Sequence, residues 1–246
     1  MLKENERIDN LEYKGLKIIQ NKEMFCFGID AVLLADFAKV IKDNSVVVDL
    51  GTGNGIIPIL LSKKINAKKI IGVEIQPEVC EMANRSIVLN NLEDNVEILL
   101  GDIKTIEKEI VQEVNAVITN PPYKKENTGL INEKENKIIA RHEVKCTLED
   151  VVKTSSKLLK DKGSLFMIHR TERFSEIFEI LRKYKLEPKR IRFVHTNKDT
   201  ISNMVLIQAN KNEGSFLKVE PPLIVYNNKT YTDEILKIYD KPILNL

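Results

Sequence analysis

The sequence contains few residues of the kinds that build disulfides or metal sites, with only three cysteines and three histidines in 246 residues. The cysteines are far apart, and no Cys-x-x-Cys pair or Cys/His cluster occurs. A disulfide framework and a structural zinc site are therefore both disfavoured, because each needs closely grouped side chains. We expect reduced thiols at Cys26, Cys80 and Cys146, and no bound metal.

The sequence also lacks a long apolar run. No stretch approaches the roughly 20 apolar residues that a membrane-spanning helix requires, and residues 1–7 are charged, unlike a signal peptide. The net charge is only +2, so the overall balance alone does not favour a nucleic-acid partner. These absences predict a cytoplasmic protein with no membrane partner, built as one large α/β domain with small additions.

What the sequence does have is an alternation of β-branched runs and amphipathic helices. Dense apolar runs such as Val46–Leu50 indicate central strands that are buried on both faces. Strands that alternate with helices predict an α/β fold with a mostly parallel sheet and helices on both faces. Seven strands are predicted, at residues 46–50, 69–74, 96–100, 116–119, 164–168, 193–195 and 204–207, and the last two are expected to form a hairpin.

The N-terminal residues are predicted to form a small hairpin and a helix that pack on this core. Two short strands, 16–19 and 24–27, are joined by a polar turn. Asp30 is placed to cap the helix that follows. Residues 27–30 could cross a bound cofactor or serve packing alone, and the pattern favours neither. The predicted units are residues 1–43 for the hairpin and helix, 44–210 for the core domain and 211–246 for a C-terminal extension.

A glycine-rich loop, Gly51-Thr52-Gly53-Asn54-Gly55, follows the first core strand and precedes an apolar helix. Glycines let the backbone pass close to a ligand, and a helix N-terminus offers unpaired N–H groups. A dinucleotide site would need the spacing G-x-G-x-x-G, but here the third glycine comes one position early. Asp49, just before the loop, would repel a pyrophosphate and attract a cation. The loop therefore favours the amino end of a methionine-like ligand.

Acidic side chains also follow the next two strands. Glu74 ends its strand, where a carboxylate can accept hydrogen bonds from both hydroxyls of a ribose, and Ile75 comes next. Asp102 follows the third strand and can accept from an adenine amine, while Ile103 can cover the ring. Taken alone, an aspartate such as Asp102 is more often an ordinary loop or cap residue. All these positions fall at strand C-termini, where open α/β sheets bind ligands.

The fourth strand ends in the turn Asn120-Pro121-Pro122-Tyr123. Neither proline has an N–H group, so the turn offers carbonyl oxygens and the side chain of Asn120 as acceptors. A group that docks here must donate hydrogen bonds, as an exocyclic amine or a carboxamide does. Tyr123 can stack on a flat base that has left its helix. The alternative is that the tetrapeptide is only a turn, since asparagine and proline are common in turns.

In order and spacing, these motifs resemble those of class I S-adenosylmethionine-dependent methyltransferases, in the branch that methylates amino groups. The resemblance covers about residues 25–210. It implies a Rossmann-like sheet of seven strands with the last antiparallel, S-adenosyl-L-methionine as cofactor, and a turn that holds the target nitrogen. The cofactor-binding residues that it implies are Asp49, Gly51, Thr52, Gly53, Asn54, Gly55, Glu74, Ile75, Asp102, Ile103 and Asn120, and the catalytic residues are Asn120, Pro121, Pro122 and Tyr123.

Three less specific stretches look like the bacterial tRNA adenine-N6 methyltransferases that act next to the anticodon of valine tRNA. The stretches are Phe25-x-Phe27-Gly28-x-Asp30-Ala31-Val32-Leu33-Leu34-Ala35, Ala140-Arg141-His142-Glu143, and Pro222-Leu223-Ile224-Val225-Tyr226 with Tyr231-Thr232. This similarity implies methyl transfer to N6 of an adenine, with tRNA as partner. Release-factor glutamine, ribosomal RNA guanine N2 and DNA adenine N6 are alternative acceptors. A module that only binds RNA is a further alternative, which the intact set of Asp49, Glu74 and Asn120 disfavours.

A local concentration of positive charge lies between residues 182 and 192, where Glu187 is the only acidic residue. Such a cluster beside a helix end can bind phosphates of RNA, or it can simply be solvated. The predicted RNA-binding residues are Arg182, Lys183, Lys185, Lys189, Arg190 and Arg192.

Overall fold

The structure is a computed structural model that describes residues 2–23, 28–121 and 146–242. The chain begins with an antiparallel hairpin of β1 (Glu6–Asn10) and β2 (Lys17–Asn21). The sequence predicted a hairpin here but did not predict β1 as the partner, because β1 is polar and mostly exposed and so shows no apolar alternation. Gln20 and Asn21, predicted in a turn, lie in β2; the predicted strand 24–27 lies outside the described residues.

Helix α1 (Ile29–Phe37) follows the hairpin. The prediction that Asp30 caps it was wrong, since Gly28 occupies the N-cap position and no side chain caps the helix. Asp30 lies inside the first turn, where its carboxylate accepts a hydrogen bond from the Ala31 N–H at 3.0 Å. The other carboxylate oxygen accepts from the side chain of Asn120.

Seven longer strands make up the body of the central sheet. Their spatial order is β5-β4-β3-β6-β7-β9-β8; all run parallel except β9, which is antiparallel to both β7 and β8. This confirms the predicted sheet with its last strand antiparallel. The strands are β3 (Val46–Leu50), β4 (Lys69–Glu74), β5 (Val96–Leu100), β6 (Val114–Thr119), β7 (Leu159–Arg170), β8 (Leu186–His195) and β9 (Ser202–Lys211). Two short strands, β10 (Lys218–Val219) and β11 (Leu223–Ile224), extend the sheet by pairing with β8.

Helices cover both faces of this sheet, as predicted. The helices that follow α1 are α2 (Ile56–Lys64), α3 (Pro77–Leu89), α4 (Leu148–Leu158) and α5 (Phe174–Lys183). One apolar core joins α1, α2 and α3 to one face, and a second joins α4 and α5 to the other. Neighbouring residues of a strand point to opposite faces, so Val47 lies in the first core and Val48 in the second, both fully buried.

The C-terminal residues add a small hairpin and a helix. The hairpin consists of β12 (Tyr226–Asn227) and β13 (Thr230–Tyr231), and helix α6 (Asp233–Ile238) follows. Thr232 caps α6 by accepting from the Ile235 N–H. Buried apolar side chains of α6 join the first core. Among the described residues, none of the helices is both long and apolar enough to cross a membrane.

Candidate active site

The glycine loop lies at the carboxyl edge of the sheet, between β3 and α2. Its three glycines have φ values of +76°, +57° and +84°, a backbone region that strains residues with a Cβ atom. The backbone N–H groups of Gly51 and Thr52 both donate to the carbonyl oxygen of Val73, at 3.0 and 2.9 Å. These bonds hold the loop across the end of β4. Gly55 is the N-cap of α2 and has no side chain to cover the N–H groups of the first turn.

Asp49 is the most unusual side chain of the site. It is 0% exposed, and within the described ranges neither carboxylate oxygen has a hydrogen-bond partner. Burial raises the pKa of Asp49 from its ordinary 3.8 to about 7; the nearby Thr52 hydroxyl opposes this rise, and the charge of Glu74 adds to it. A buried carboxylate without a partner is costly. An ammonium group placed beside it would remove that cost, so Asp49 fits the amino end of S-adenosylmethionine.

Glu74 is held at the end of β4 by two parts of the backbone. One carboxylate oxygen accepts from the Gly53 N–H at 3.0 Å, and the other accepts from the Gln76 N–H at 2.9 Å. A carboxylate can accept about four hydrogen bonds, so Glu74 retains capacity for the hydroxyls of a ribose. Ile75 follows Glu74 in the chain and is half-buried.

Residues 102 and 103 follow β5 at the same edge. The Asp102 carboxylate accepts from the Lys104 N–H at 2.9 Å, a local turn contact of the kind that the alternative interpretation of this residue required. The Ile103 Cδ1 atom lies 3.8 Å from the position that a Cβ atom on Gly51 would occupy. The structure thus brings Ile103 onto the glycine loop, where an apolar side chain can cover one face of a flat ring.

Asn120 follows β6, on the other side of β3 from Glu74. Leu50 of β3 pairs with Thr119 and with Val73 of β4, and neighbouring strands are about 4.8 Å apart. The Asn120 Nδ2 atom donates to the Asp30 carboxylate at 3.0 Å. Pro121 is buried, whereas Pro122 and Tyr123 lie outside the described residues, as do residues 140–143. The structure therefore brings the cofactor residues and Asn120 together at one edge.

The basic cluster, residues 182–192, is distributed along α5 and β8. Arg182, Lys183 and Lys185 precede β8, at the amino end of the sheet and opposite the glycine loop. Five of the six basic side chains have acceptors in the chain itself. Arg182 contacts Glu187, Lys183 contacts Glu149, Lys189 contacts the Gly214 carbonyl, Arg190 contacts the Phe37 carbonyl, and Arg192 contacts Glu234. RNA binding by this cluster stays a prediction.

Comparison with known proteins identifies the family. The model of the TRM5/TYW2 methyltransferase domain matches residues 20–162, which is more than half of the chain. The chain belongs to the TRM5/TYW2 methyltransferase domain family. The matched region contains Asp49, the glycine loop, Glu74, Asp102 and Asn120, and it ends before the basic cluster.

Relatives of this TRM5/TYW2 domain protein point to a narrower group. A Flavobacterium johnsoniae protein named tRNA1(Val) (adenine(37)-N6)-methyltransferase is 23% identical over 92% of the chain and 96% of its own length. A Porphyromonas gingivalis protein of the same name is 28% identical over 76% of the chain and 75% of its own. These matches bear out the resemblance drawn from the motifs.

Solved structures support the fold of this methyltransferase. A predicted O-methyltransferase, Atu636 from Agrobacterium tumefaciens, superposes with a TM-score of 0.67 at 21% identity, covering 88% of the chain and all of that protein. At this identity, the likeness concerns the fold alone.

Among the described residues, no group of three or more His, Cys, Asp or Glu side chains could hold a metal ion.

Two side chains of the methyltransferase site were missed by the sequence reasoning. Asp30 contacts Asn120, although it was predicted as a helix cap within a segment, residues 27–30, that could cross a bound cofactor. Gln20 of β2 accepts a hydrogen bond from Asn54 of the glycine loop at 3.2 Å. Asp30 lies in a stretch that resembles the adenine-N6 enzymes, but the sequence did not indicate its partner. It gave no signal for either contact, because each joins segments that are distant along the chain.

Proposed function

We propose that this protein transfers a methyl group from S-adenosylmethionine to N6 of an adenine in tRNA, next to the anticodon of valine tRNA. The observation that carries the proposal is that Asn120 follows β6 at the same edge of the sheet at which the neighbouring strand β3 ends, just after the buried Asp49. The Asp49 carboxylate has no hydrogen-bond partner among the described residues. The Asp49 carboxylate fits a cationic cofactor, and the Asn120 side chain fits an acceptor amine.

The cofactor supplies an electrophilic methyl group bound to a sulfonium sulfur. Asp49 would accept hydrogen bonds from the ammonium group of the bound cofactor, whose positive charge favours the ionised form of this carboxylate. Glu74, fixed by the Gly53 N–H, accepts from the ribose hydroxyls. Asp102 accepts from the adenine amine, and Ile103 covers the ring. The positive φ of the glycines lets the backbone approach the ligand closely.

The acceptor adenine donates its two N6 hydrogens to the Asn120 side-chain oxygen and the Pro121 carbonyl. These bonds draw the nitrogen away from planarity, so that its lone pair faces the methyl group. When bound, S-adenosylmethionine would supply the methyl group that this lone pair attacks, with the thioether as the leaving group, and the proton lost by the nitrogen would pass to water. Tyr123 stacks on the extruded base. Positioning of this kind can supply several kcal/mol without a dedicated base.

The choice of tRNA rests on the names of the relatives and on the three stretches that resemble adenine-N6 enzymes. The basic cluster at residues 182–192 is our candidate for contact with RNA phosphates. A tRNA substrate also implies that the protein works in the cytoplasm. Release-factor glutamine is the main alternative, because a primary amide presents the same two donors.

One labelling experiment separates these substrates. The protein is incubated with methyl-labelled S-adenosylmethionine and separate fractions of tRNA, ribosomal RNA, DNA and release factor. We expect label in tRNA, recovered as N6-methyladenosine after digestion. Label confined to release factor or to another fraction would refute the proposed substrate.

A variant tests the role of the acceptor turn. Asn120→Ala should lower turnover by on the order of 100-fold, because the amine loses its positioning acceptor, and should leave cofactor affinity nearly unchanged. Asn212→Ala is a matched control, since the Asn212 side chain donates to Asp161 at an exposed position, just beyond the end of β9. Near-full activity of Asn120→Ala would refute the mechanism.

A further inference from the structure

The side chains of Asp30 and Asn120 meet at the active edge, although 90 positions separate them in the chain. Asp30 belongs to the first turn of α1, and Asn120 follows β6. The Asn120 Nδ2 atom lies 3.0 Å from an Asp30 carboxylate oxygen. An ionised carboxylate only accepts hydrogen bonds, so the NH₂ group of Asn120 must face Asp30. The carbonyl oxygen of the same side chain therefore faces the opposite way.

The Asp30 carboxylate is itself held in place. Its other oxygen accepts from the Ala31 N–H at 3.0 Å, and the helix N-terminus stabilises a negative charge in the first turn. Because both oxygens have a backbone or side-chain donor, the carboxylate cannot rotate without losing a bond. The Asp30 carboxylate is therefore a hydrogen-bond acceptor held in a fixed position beside Asn120.

Gly28 leaves room for this arrangement. Its φ of −107° is accessible to any residue, so backbone strain does not require glycine here. A Cβ atom at this position would instead lie 2.7 Å from an Asp30 carboxylate oxygen, which is closer than van der Waals contact allows. Any larger residue at position 28 would therefore displace the Asp30 carboxylate.

We propose that Asp30 is a positioning residue of the methyl transfer, which holds the Asn120 side chain with its carbonyl oxygen toward the acceptor amine. This inference rests on the proposed function, since it needs an amine that docks at Asn120. A carboxylate that accepts from the NH₂ group also polarises the amide, which makes its oxygen a better acceptor. The residue acts through Asn120 and does not touch the reacting atoms.

A double-mutant cycle tests this dependence. Asp30→Ala should lower kcat by on the order of 100-fold, as loss of orientation does, while KM for tRNA and the Kd for S-adenosylmethionine change little. In an Asn120→Ala background, the same substitution should have no further effect on kcat. An unchanged kcat for Asp30→Ala, or an equal reduction in both backgrounds, would overturn the proposal.

Two milder variants keep the test open if Asp30→Ala does not fold. Asp30→Asn retains an acceptor oxygen and should keep more activity than Asp30→Ala. Gly28→Ala should slow turnover by displacing the carboxylate, and should have no further effect once Asn120 is replaced. A Gly28→Ala protein with wild-type kcat would contradict the proposed role of position 28. Asp36→Asn, in the same helix, is the control, because Asp36 pairs with Lys64; it should lower Tm without lowering kcat.

A spectroscopic readout separates failure of this inference from failure of the proposed substrate. The side-chain NH₂ signals of Asn120, assigned by their loss in Asn120→Ala, should shift and exchange faster with water in Asp30→Asn. Unchanged signals would overturn the pairing whichever acceptor is methylated. If these signals change but the wild type labels no tRNA, the pairing stands and the substrate is wrong.

Discussion

Asp49 gives the sharpest prediction, because its burial has opposite effects on stability and on binding. Its pKa is raised from 3.8 to about 7 in the folded protein, so between these values the folded state binds a proton that the unfolded state has lost. Stability must then fall as pH rises through this range. From pH 5 to pH 8, the loss due to Asp49 is about 2.5 kcal/mol.

The perturbation is Asp49→Asn, which keeps the shape and removes the charge. The ligand-free variant should lack the loss of about 2.5 kcal/mol, which corresponds to roughly 5–10 °C in Tm for a chain of this length. Urea unfolding of wild type and variant at pH 5, 6, 7 and 8 measures the difference. Comparing the pH dependence cancels any cost of the new amide that does not vary with pH.

The same charge should be required for the cofactor. Calorimetry should show that wild-type affinity for S-adenosylmethionine increases as pH rises toward 8, and that Asp49→Asn binds far more weakly. Asp43→Asn, an exposed position shortly before β3, is the control and should alter neither quantity. If Asp49→Asn shifted stability equally at pH 5 and pH 8, or bound the cofactor like wild type, Asp49 would not be the buried, ionisable ammonium partner described here.

Two further predictions concern the glycine loop and the basic cluster. Gly53→Ala should cost about 1–2 kcal/mol of stability because φ is +57° at this position, and it should weaken cofactor binding by disturbing the hydrogen bond to Glu74. Gly214→Ala is the control, because a Cβ atom there meets nothing within 4 Å, and it should change neither Tm nor the Kd for the cofactor. Equal behaviour of the two variants would refute the prediction. Arg190→Met should cost about 2 kcal/mol, since the guanidinium stacks 3.9 Å from the Phe37 ring centroid and donates to the Phe37 carbonyl. By contrast, Lys183→Glu with Lys185→Glu should lower stability only slightly, because the Lys183–Glu149 pair is exposed. The double variant should make the salt dependence of tRNA binding shallower, and an unchanged slope would remove these two lysines from the RNA surface.

The parts of the site that the sequence predicted are those in which chemistry and local structure coincide. Asp49 and the three glycines of the loop occupy every second position from the end of β3 to the N-cap of α2, so their spacing predicts both the turn and the kind of ligand. Glu74 and Asn120 could be placed because parallel strands bring their carboxyl ends to one edge. These predictions did not require knowledge of side-chain contacts between segments that are distant along the chain.

The parts that the sequence missed depend on side-chain pairs from distant segments. Nothing near Asp30 indicates that Asn120 is its neighbour, and the polar β1 shows no apolar period that would mark it as a strand. For the same reason, the sequence did not show that most side chains of the basic cluster have hydrogen-bond acceptors within the protein. The acceptors Glu149, Glu234 and the Phe37 carbonyl lie in other elements, and local charge counting does not include them.

The link between Gln20 and Asn54 has a consequence for how the chain can be divided. The boundary predicted at residue 43 separates these two side chains, and it also separates Arg85 of α3 from Glu6 of β1, which are joined at 2.6 Å. A shortened protein that starts at residue 44 would keep the glycine loop and Glu74, but would lose the amide that braces this loop. A stable cofactor site thus requires residues from the N-terminal hairpin, although the cofactor motifs themselves begin only at Asp49.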